Sequence, residues 1–336
     1  MRRHFDTWLA LLGPAALVVV VGIGSTFVSR SNEIHFLNAL VAVAIVVAIY
    51  VFVGTSGVLS FGQISFVALG AFAAGVLTVP LESKAGVLPD LFPLLRDHTI
   101  GNVASLALAA AVGGGFAFLV GLPLMRLSGL AAGIATFAVL EITHNLLREW
   151  TSIGPGATTL SLVPETTGAL QATVGALVVI GAAFAYQRSP LGRKARATRE
   201  DPAAAQAVGV SVHWQRLWAF TLSGALCGFA GGLLVHMLGS ITTEQVYLEL
   251  TFLTLAMLVV GGVTSLGGAV IGALAVSGLD SLLGNAEDGI RLGFTLDLPE
   301  GSRLVILGGL MALMLILRPS GITGGRELRL PRRRPA

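Results

Sequence analysis

Four stretches of this chain, Leu9–Val28, Phe36–Val53, Asn102–Leu124 and Leu217–Leu238, are almost purely apolar. Each is close to the roughly 20 residues a helix needs to cross the hydrocarbon of a bilayer. In lipid every backbone N–H and C=O must find a partner within the protein, so such runs fold as helices. Composition argues the same way: of 336 residues 54% are hydrophobic and 12% charged, and the mean hydropathy is +0.84. A soluble domain carries about a quarter charged residues. The expected fold is all-α, a polytopic transmembrane helical bundle.

Hydrophobic runs and turn signals place spans at 8–28, 36–53, 64–79, 102–125, 127–147, 168–186, 216–238, 248–262, 266–283 and 303–317, about ten in all. Cytoplasmic loops gather Lys and Arg. With the N-terminus inside, only Arg30, Lys84, Arg96, Arg148, Arg291 and Arg303 fall outside, which leaves fifteen of the 21 basic residues on the cytoplasmic side. Removing one span would move either the Arg188–Arg199 cluster or the C-terminal arginines outside, so both termini are expected to be cytoplasmic. The stretch after Met1-Arg-Arg-His4 is too long for a signal peptide and lacks a small-x-small cleavage site before Arg30, and it reads as an uncleaved first span. Composition divides the chain into a permease domain, 1–318, and a basic cytoplasmic tail, 319–336, whose Arg332-Arg333-Arg334 suits an anionic leaflet.

A net charge of +3 does not mark a nucleic-acid protein, because the basic residues sit in loops between apolar runs. The single cysteine, Cys227, lies inside a span, which excludes an intrachain disulfide and a Cys-rich metal site. No cofactor is expected.

Two uncharged, glycine-rich stretches, Gly54–Gly62 and Gly261–Gly268, adjoin short spans. They are either tight turns or broken helices that line a pathway, the only place irregular backbone survives at membrane depth. Ser60, Gln63 and Ser65 beside the first stretch are candidate pathway or gating residues. So are Glu141 and His144, which with Asn145 form a polar cluster one turn apart on a single helix. Their alternative role is hydrogen bonding to a neighbouring helix. A metal is not expected, since Glu141-x-x-His144 alone supplies too few ligands. Gly224, Gly228 and Gly232, and likewise Gly268 and Gly272, recur at four-residue spacing and let helices approach closely.

The cytoplasmic loop at 187–215 is the most informative segment. Ser189-Pro190 and Asp201-Pro202 each put a capping side chain ahead of a proline, the signature of a helix start. The second helix holds Ala203, Ala204 and Ala205 and stops at Gly209. A short, capped, small-residue helix suits insertion into a groove on a partner; the alternative is a basic loop lying on lipid headgroups.

From Ala197 to Leu233 the chain resembles the coupling loop and following span of LivM-type permeases of branched-chain amino acid ABC importers. Gly57-Val-Leu-Ser-Phe-Gly-Gln-Ile-Ser-Phe66, Leu127–Ile142, Met257–Gly272 and Arg318-Pro-Ser-Gly-Ile322 are similar to that family's other segments, in order, from about residue 36 to 322. Ser152–Thr159 departs from the family pattern, and relatives also carry urea and short amides. The resemblance implies an ABC-importer permease for branched-chain amino acids. Its implied partners are a second, LivH-like permease subunit, two cytoplasmic ATPase subunits and a periplasmic solute-binding protein, in a bacterial inner membrane. It also implies that Asp201, Pro202, Ala203, Ala204, Ala205 and Gly209 couple the subunit to the ATPase. The chain contains no G-x-x-x-x-G-K-[ST] loop and is not expected to be an enzyme. An ion-driven secondary transporter is the rival class; it would not need a capped helix facing an ATPase.

The topology has a direct test. A reporter fused after Ala336 is expected to be active only in its cytoplasmic form; activity confined to the periplasm would overturn the ten-span arrangement.

Overall fold

A computed structural model of the protein describes residues 2–28, 30–287, 290–291, 295–296, 302–318 and 320–325. The helices in chain order are α1 (Arg2–Ser25), α2 (Arg30–Ser56), α3 (Gln63–Thr78), α4 (Leu81–Val87), α5 (Pro93–Arg96), α6 (Asn102–Leu124) and α7 (Gly129–Glu149). They continue with α8 (Ala169–Arg188), α9 (Pro190–Glu200), α10 (Pro202–Ala207), α11 (Val212–Leu238), α12 (Leu248–Gly261), α13 (Leu266–Glu287) and α14 (Ser302–Leu317). A 3₁₀ turn, Glu244–Val246, leads into α12, and Ile290–Arg291 pairs antiparallel with Thr295–Leu296 between α13 and α14.

Every stretch expected to span lies in a helix. Seven of them, carried by α2, α6, α7, α8, α11, α12 with its leading turn, and α13, are long and apolar enough to cross a membrane. The apolar parts of α1, α3 and α14 are shorter. Helix α1 starts at Arg2, well before the expected edge at 8, because no Pro or Gly interrupts the polar turn ahead of its apolar run.

Helices α2 and α11 sit innermost: 78% and 61% of their apolar windows are buried, against 33% for α6 and 39% for both α7 and α8. The crossing of α3, α6 and α11 is built on glycine. A methyl group added at Gly228 would strike the carbonyl of Ala109, one at Gly70 the carbonyl of Gly228, and one at Gly231 the carbonyl of Val67. Lipid is as apolar as leucine, so close backbone packing, not hydrophobic exclusion, holds spans together. The same device joins α12 to α13, where Gly272 lies against the Met257 carbonyl and Gly261 against Gly268.

Side chains add polar cross-links. The His236 ring bridges Ser105 Oγ at 2.9 Å and the Pro164 carbonyl at 3.2 Å. Asn102 and Gln171 exchange amide bonds of 2.8 and 3.2 Å between α6 and α8. Between α3 and α6, buried Lys84 of α4 clasps the end of α5 by donating to the carbonyls of Leu95 and His98, each at 2.7 Å.

The two glycine-rich stretches both separate helices, and they are held differently. The break at 262–265 is covered by the chain after α14: Ile322 N donates to the Val260 carbonyl at 2.8 Å, Thr323 Oγ1 to Gly261 O at 2.9 Å, and Thr264 Oγ1 to Gly325 O at 3.0 Å. Packing therefore continues through Gly325, beyond the division at 318 suggested by composition. The Arg332–Arg334 run lies outside the described residues. The break at 57–62 is braced from α7, with Phe61 N donating to Thr136 Oγ1 at 3.2 Å.

The glycine crossing can be tested by substitution. Gly228→Val is expected to cost on the order of 3 kcal/mol or more, since rigid backbone has to move. Gly181→Ala, where nothing lies within 4 Å of the added carbon, should be neutral or slightly stabilising. Thermal unfolding of the detergent-solubilised protein compares the two.

Candidate coupling segment and transport-path residues

The connection between α8 and α11 turns twice within a few residues, and local chemistry fixes both turns. Ser189 Oγ accepts from Gly192 N at 3.0 Å and starts α9, with Pro190 at the first helical position. Asp201 Oδ1 accepts from Ala203 N at 2.9 Å and Ala204 N at 3.0 Å and starts α10, with Pro202 in the same position. The end of α10 is as closely specified. Gly209 adopts φ +80, its N–H reaches Gln206 O at 2.9 Å, and Val210 N reaches Ala205 O at 2.9 Å. These are the paired bonds of a Schellman motif, which needs a left-handed residue where glycine stands. Asp201, Pro202, Ala203, Ala204, Ala205 and Gly209 thus act together as one capped unit.

Of that unit only Ala205 faces inward, 5% exposed. Pro202, Ala203, Ala204, Gln206 and Ala207 are exposed, as is Val208 at the C-cap, so α10 presents a mostly small apolar surface interrupted by the Gln206 amide. Helix α9 is the anchor. Its Ala195 and Thr198 are buried, and Arg196 Nη2 donates to the Gln187 carbonyl at 2.8 Å. Arg199 Nη1 donates to the Gly54 carbonyl at the end of α2, at 2.7 Å, while its stem fills the space beside Gly57, whose φ of +70 leaves room only for hydrogen. Arg199 therefore ties the α9–α10 segment to the 57–62 break. The sequence gives no local sign of this bond, because its two ends lie 145 residues apart.

Around this tie lies an open cavity of about 630 Å³, lined by Gly57 and Leu59 of the break, Leu130 and Gly133 of α7, and Arg199 and Pro202 of the α9–α10 segment. The first glycine-rich stretch thus borders a cavity, and the second is packed.

The five candidate pathway residues separate into two groups. Ser60, Gln63 and Ser65 are buried, at 1%, 1% and 0% exposure. Gln63 Oε1 accepts from Ser223 Oγ at 3.1 Å, and Ser223 also donates to the Ala48 carbonyl at 2.6 Å, which links α3, α11 and α2. Gln63 Nε2 and both serine hydroxyls have no partner among the described residues. None of the three lines the cavity.

Glu141 and His144 lie elsewhere, toward the far end of α7. Glu141 accepts from Asn145 Nδ2 at 2.9 Å and from the Tyr247 hydroxyl, so the carboxylate bridges one turn of its own helix and the start of α12. The His144 ring is stacked on Tyr247 with centroids 3.9 Å apart, and its Nε2 lies 3.5 Å from Glu244 Oε1. Arg148 Nη1 approaches the same carboxylate at 4.0 Å. Sequence reading missed Tyr247 and Glu244. Both sit in the loop and first turn before a span, and only the 106-residue separation closed by folding gives Tyr247 its role.

The comparisons agree with this architecture. Residues 32–315 match the family described as branched-chain amino acid transport system / permease component. The chain is 28% identical to the high-affinity branched-chain amino acid transport system permease protein LivM of Salmonella typhimurium, over 91% of this chain and 73% of that protein. It is 30% identical to the probable branched-chain amino acid transport permease protein LivH of Methanocaldococcus jannaschii, over 44% of this chain and 45% of that protein. It is also 28% identical to the autoinducer 2 import system permease protein LsrC of an Enterobacter species, over 64% of this chain and 67% of that protein. No solved structure matches. With the family match spanning most of the chain, and with helices built to cross a membrane, this is a multi-pass membrane protein that belongs to the branched-chain amino acid transport permease family.

Proposed function

We propose that this chain is the permease subunit of an ABC importer for branched-chain amino acids. It sits in a bacterial inner membrane with ten spans and both termini cytoplasmic, pairs with a second permease subunit, and is driven by separate ATPase subunits. A periplasmic binding protein delivers the solute. Seven long and three shorter apolar helices support the ten spans, and the distribution of basic residues supports the orientation. The LivM and LivH names of the relatives support the solute class and a two-permease assembly.

The observation that carries the reading is the α9–α10 segment. A six-residue helix is too short to persist on intrinsic propensity. This one is nevertheless capped at both ends, displays small apolar residues outward, and is anchored through Arg199 to the bundle. Those are the properties of a part that docks into a groove and transmits movement. In this assignment Asp201, Pro202, Ala203, Ala204, Ala205 and Gly209 form the coupling contact, and ATP hydrolysis resides on the partner. The coupling loop at 187–215 is part of a permease domain, 1–318, followed by a basic cytoplasmic tail, 319–336.

Ala204→Arg is expected to leave expression and membrane insertion normal, weaken co-purification of the ATPase and abolish uptake of radiolabelled leucine. Asp201→Ala removes a cap worth about 1 kcal/mol and should reduce uptake only in part. Normal ATPase retention and transport in Ala204→Arg would remove the coupling assignment and favour a secondary transporter. Uptake of autoinducer 2 or urea in place of leucine by the assembled wild-type importer would move the solute class and leave the coupling intact.

A further inference from the structure

One face of α7 is left open by the rest of the chain. Leu130, Ile134, Phe137, Ala138, Glu141 and Asn145 recur at three- and four-residue spacing and are exposed or partly exposed. A purely apolar face would simply meet lipid. This one carries a carboxylate: Glu141 lies eight residues short of the Glu149 end of the helix, about 12 Å along the axis, and is held on the open side by Asn145 and Tyr247. An ionisable group at that depth faces protein or a water-filled path, since hydrocarbon offers it nothing.

What lies below Glu141 on the same face gives the path a direction. Phe137, one turn away, meets Phe61 of the 57–62 break edge to face, with centroids 6.5 Å apart. Phe61 in turn meets Phe252 of α12 at 6.4 Å. Phe137 and Phe252 remain 38% and 50% exposed, so the three rings form an apolar shelf open on one side. Beyond the shelf the same helix and the same break line the 630 Å³ cavity that ends at Arg199 and Pro202. Polar patch, aromatic shelf and cavity follow one another along a single surface.

Resting on the permease reading above, we propose that this surface is the subunit's half of the solute path, and that the second permease subunit supplies the other half. The outer patch of Glu141, Asn145 and Tyr247 recognises the charged head of a small zwitterion with an apolar side chain. Glu141 accepts from its ammonium group, with Asn145 and Tyr247 holding the carboxylate in place. Phe61, Phe137 and Phe252 form the constriction the solute crosses, which closes by excluding water between cycles. The break at 57–62, which carries Phe61 and is bonded through Gly54 to Arg199, is the part that the coupling segment can move.

The test uses the importer assembled from this chain, its second permease subunit, its ATPase and its binding protein in proteoliposomes. Wild-type chain, whose Cys227 is fully buried, serves as the blank for a charged, membrane-impermeant thiol reagent. Asn145→Cys is expected to react and to be protected by leucine, because a thiolate forms only where water reaches. Leu119→Cys, on the exposed apolar side of α6, should stay unmodified. The double variant Phe137→Ala/Phe252→Ala should leak leucine down its gradient without ATP, at least about tenfold above wild type, while Phe137→Leu, which keeps an apolar bulk, stays closed. An Asn145→Cys as unreactive as Leu119→Cys, or a double variant that pumps normally without a leak, would overturn the path. Failure of the wild-type assembly to take up leucine with ATP would instead strike at the permease reading, and the reactivity of Asn145→Cys measured without leucine would still decide where water runs.

Discussion

The contact between bare backbones at the crossing of α3, α6 and α11 is the interaction on which the rest of this structure depends. Spans surrounded by lipid gain nothing by hiding apolar side chains from one another, so their order is set by how closely they approach. Gly70, Gly228 and Gly231 permit that approach, and a carbonyl occupies the space each missing side chain leaves. The consequence reaches well past packing. Helix α3 is held by α11 in this crossing, so the break at its N-terminal end is fixed at a definite height against Thr136 of α7. Both the cavity and the aromatic shelf are bounded by that break.

The two interruptions of helix, alike in composition, have different mechanical meaning. The one after α12 is bonded over by residues 322–325, which satisfy its carbonyls and fill the space beside its glycines. The one after α2 is bonded at its edges, to Thr136 on one side and through Gly54 to Arg199 on the other, and its middle borders open space. A displacement of α9 therefore has a direct route, through Arg199 and Gly54, to the break at 57–62. Gln63 Nε2 and the Ser60 and Ser65 hydroxyls, buried and without a partner among the described residues, lie beside that same break.

Much of this was legible in the sequence, for reasons that differ from element to element. Spans can be read because lipid imposes a length and a composition on each one locally. The α9–α10 segment can be read because Ser189, Asp201, Pro202 and Gly209 act on backbone only a few residues away. Glu141 stands out because a carboxylate in an apolar run is costly, yet its partner Tyr247 is chosen by tertiary folding and leaves no local trace. The same holds for Arg199, which reads as one more basic residue until α2 brings Gly54 beside it. Ser60, Gln63 and Ser65 show the converse: their polarity beside a glycine-rich stretch is legible, but their burial and the bond from Ser223 of α11 to Gln63 arise from tertiary packing.

The double capping of α10 has a further consequence for the thermodynamics of association. Ordering a flexible loop at the moment of binding costs about 1–2 kcal/mol per residue in backbone entropy. Across six residues an unstructured segment of the same composition would forfeit several kcal/mol each time it docked. Here Asp201 and Gly209 already fix the conformation within the subunit, so docking in the proposed coupling role would start from a preformed shape. The proposed contact with those few methyl groups could then be weak in total and still specific.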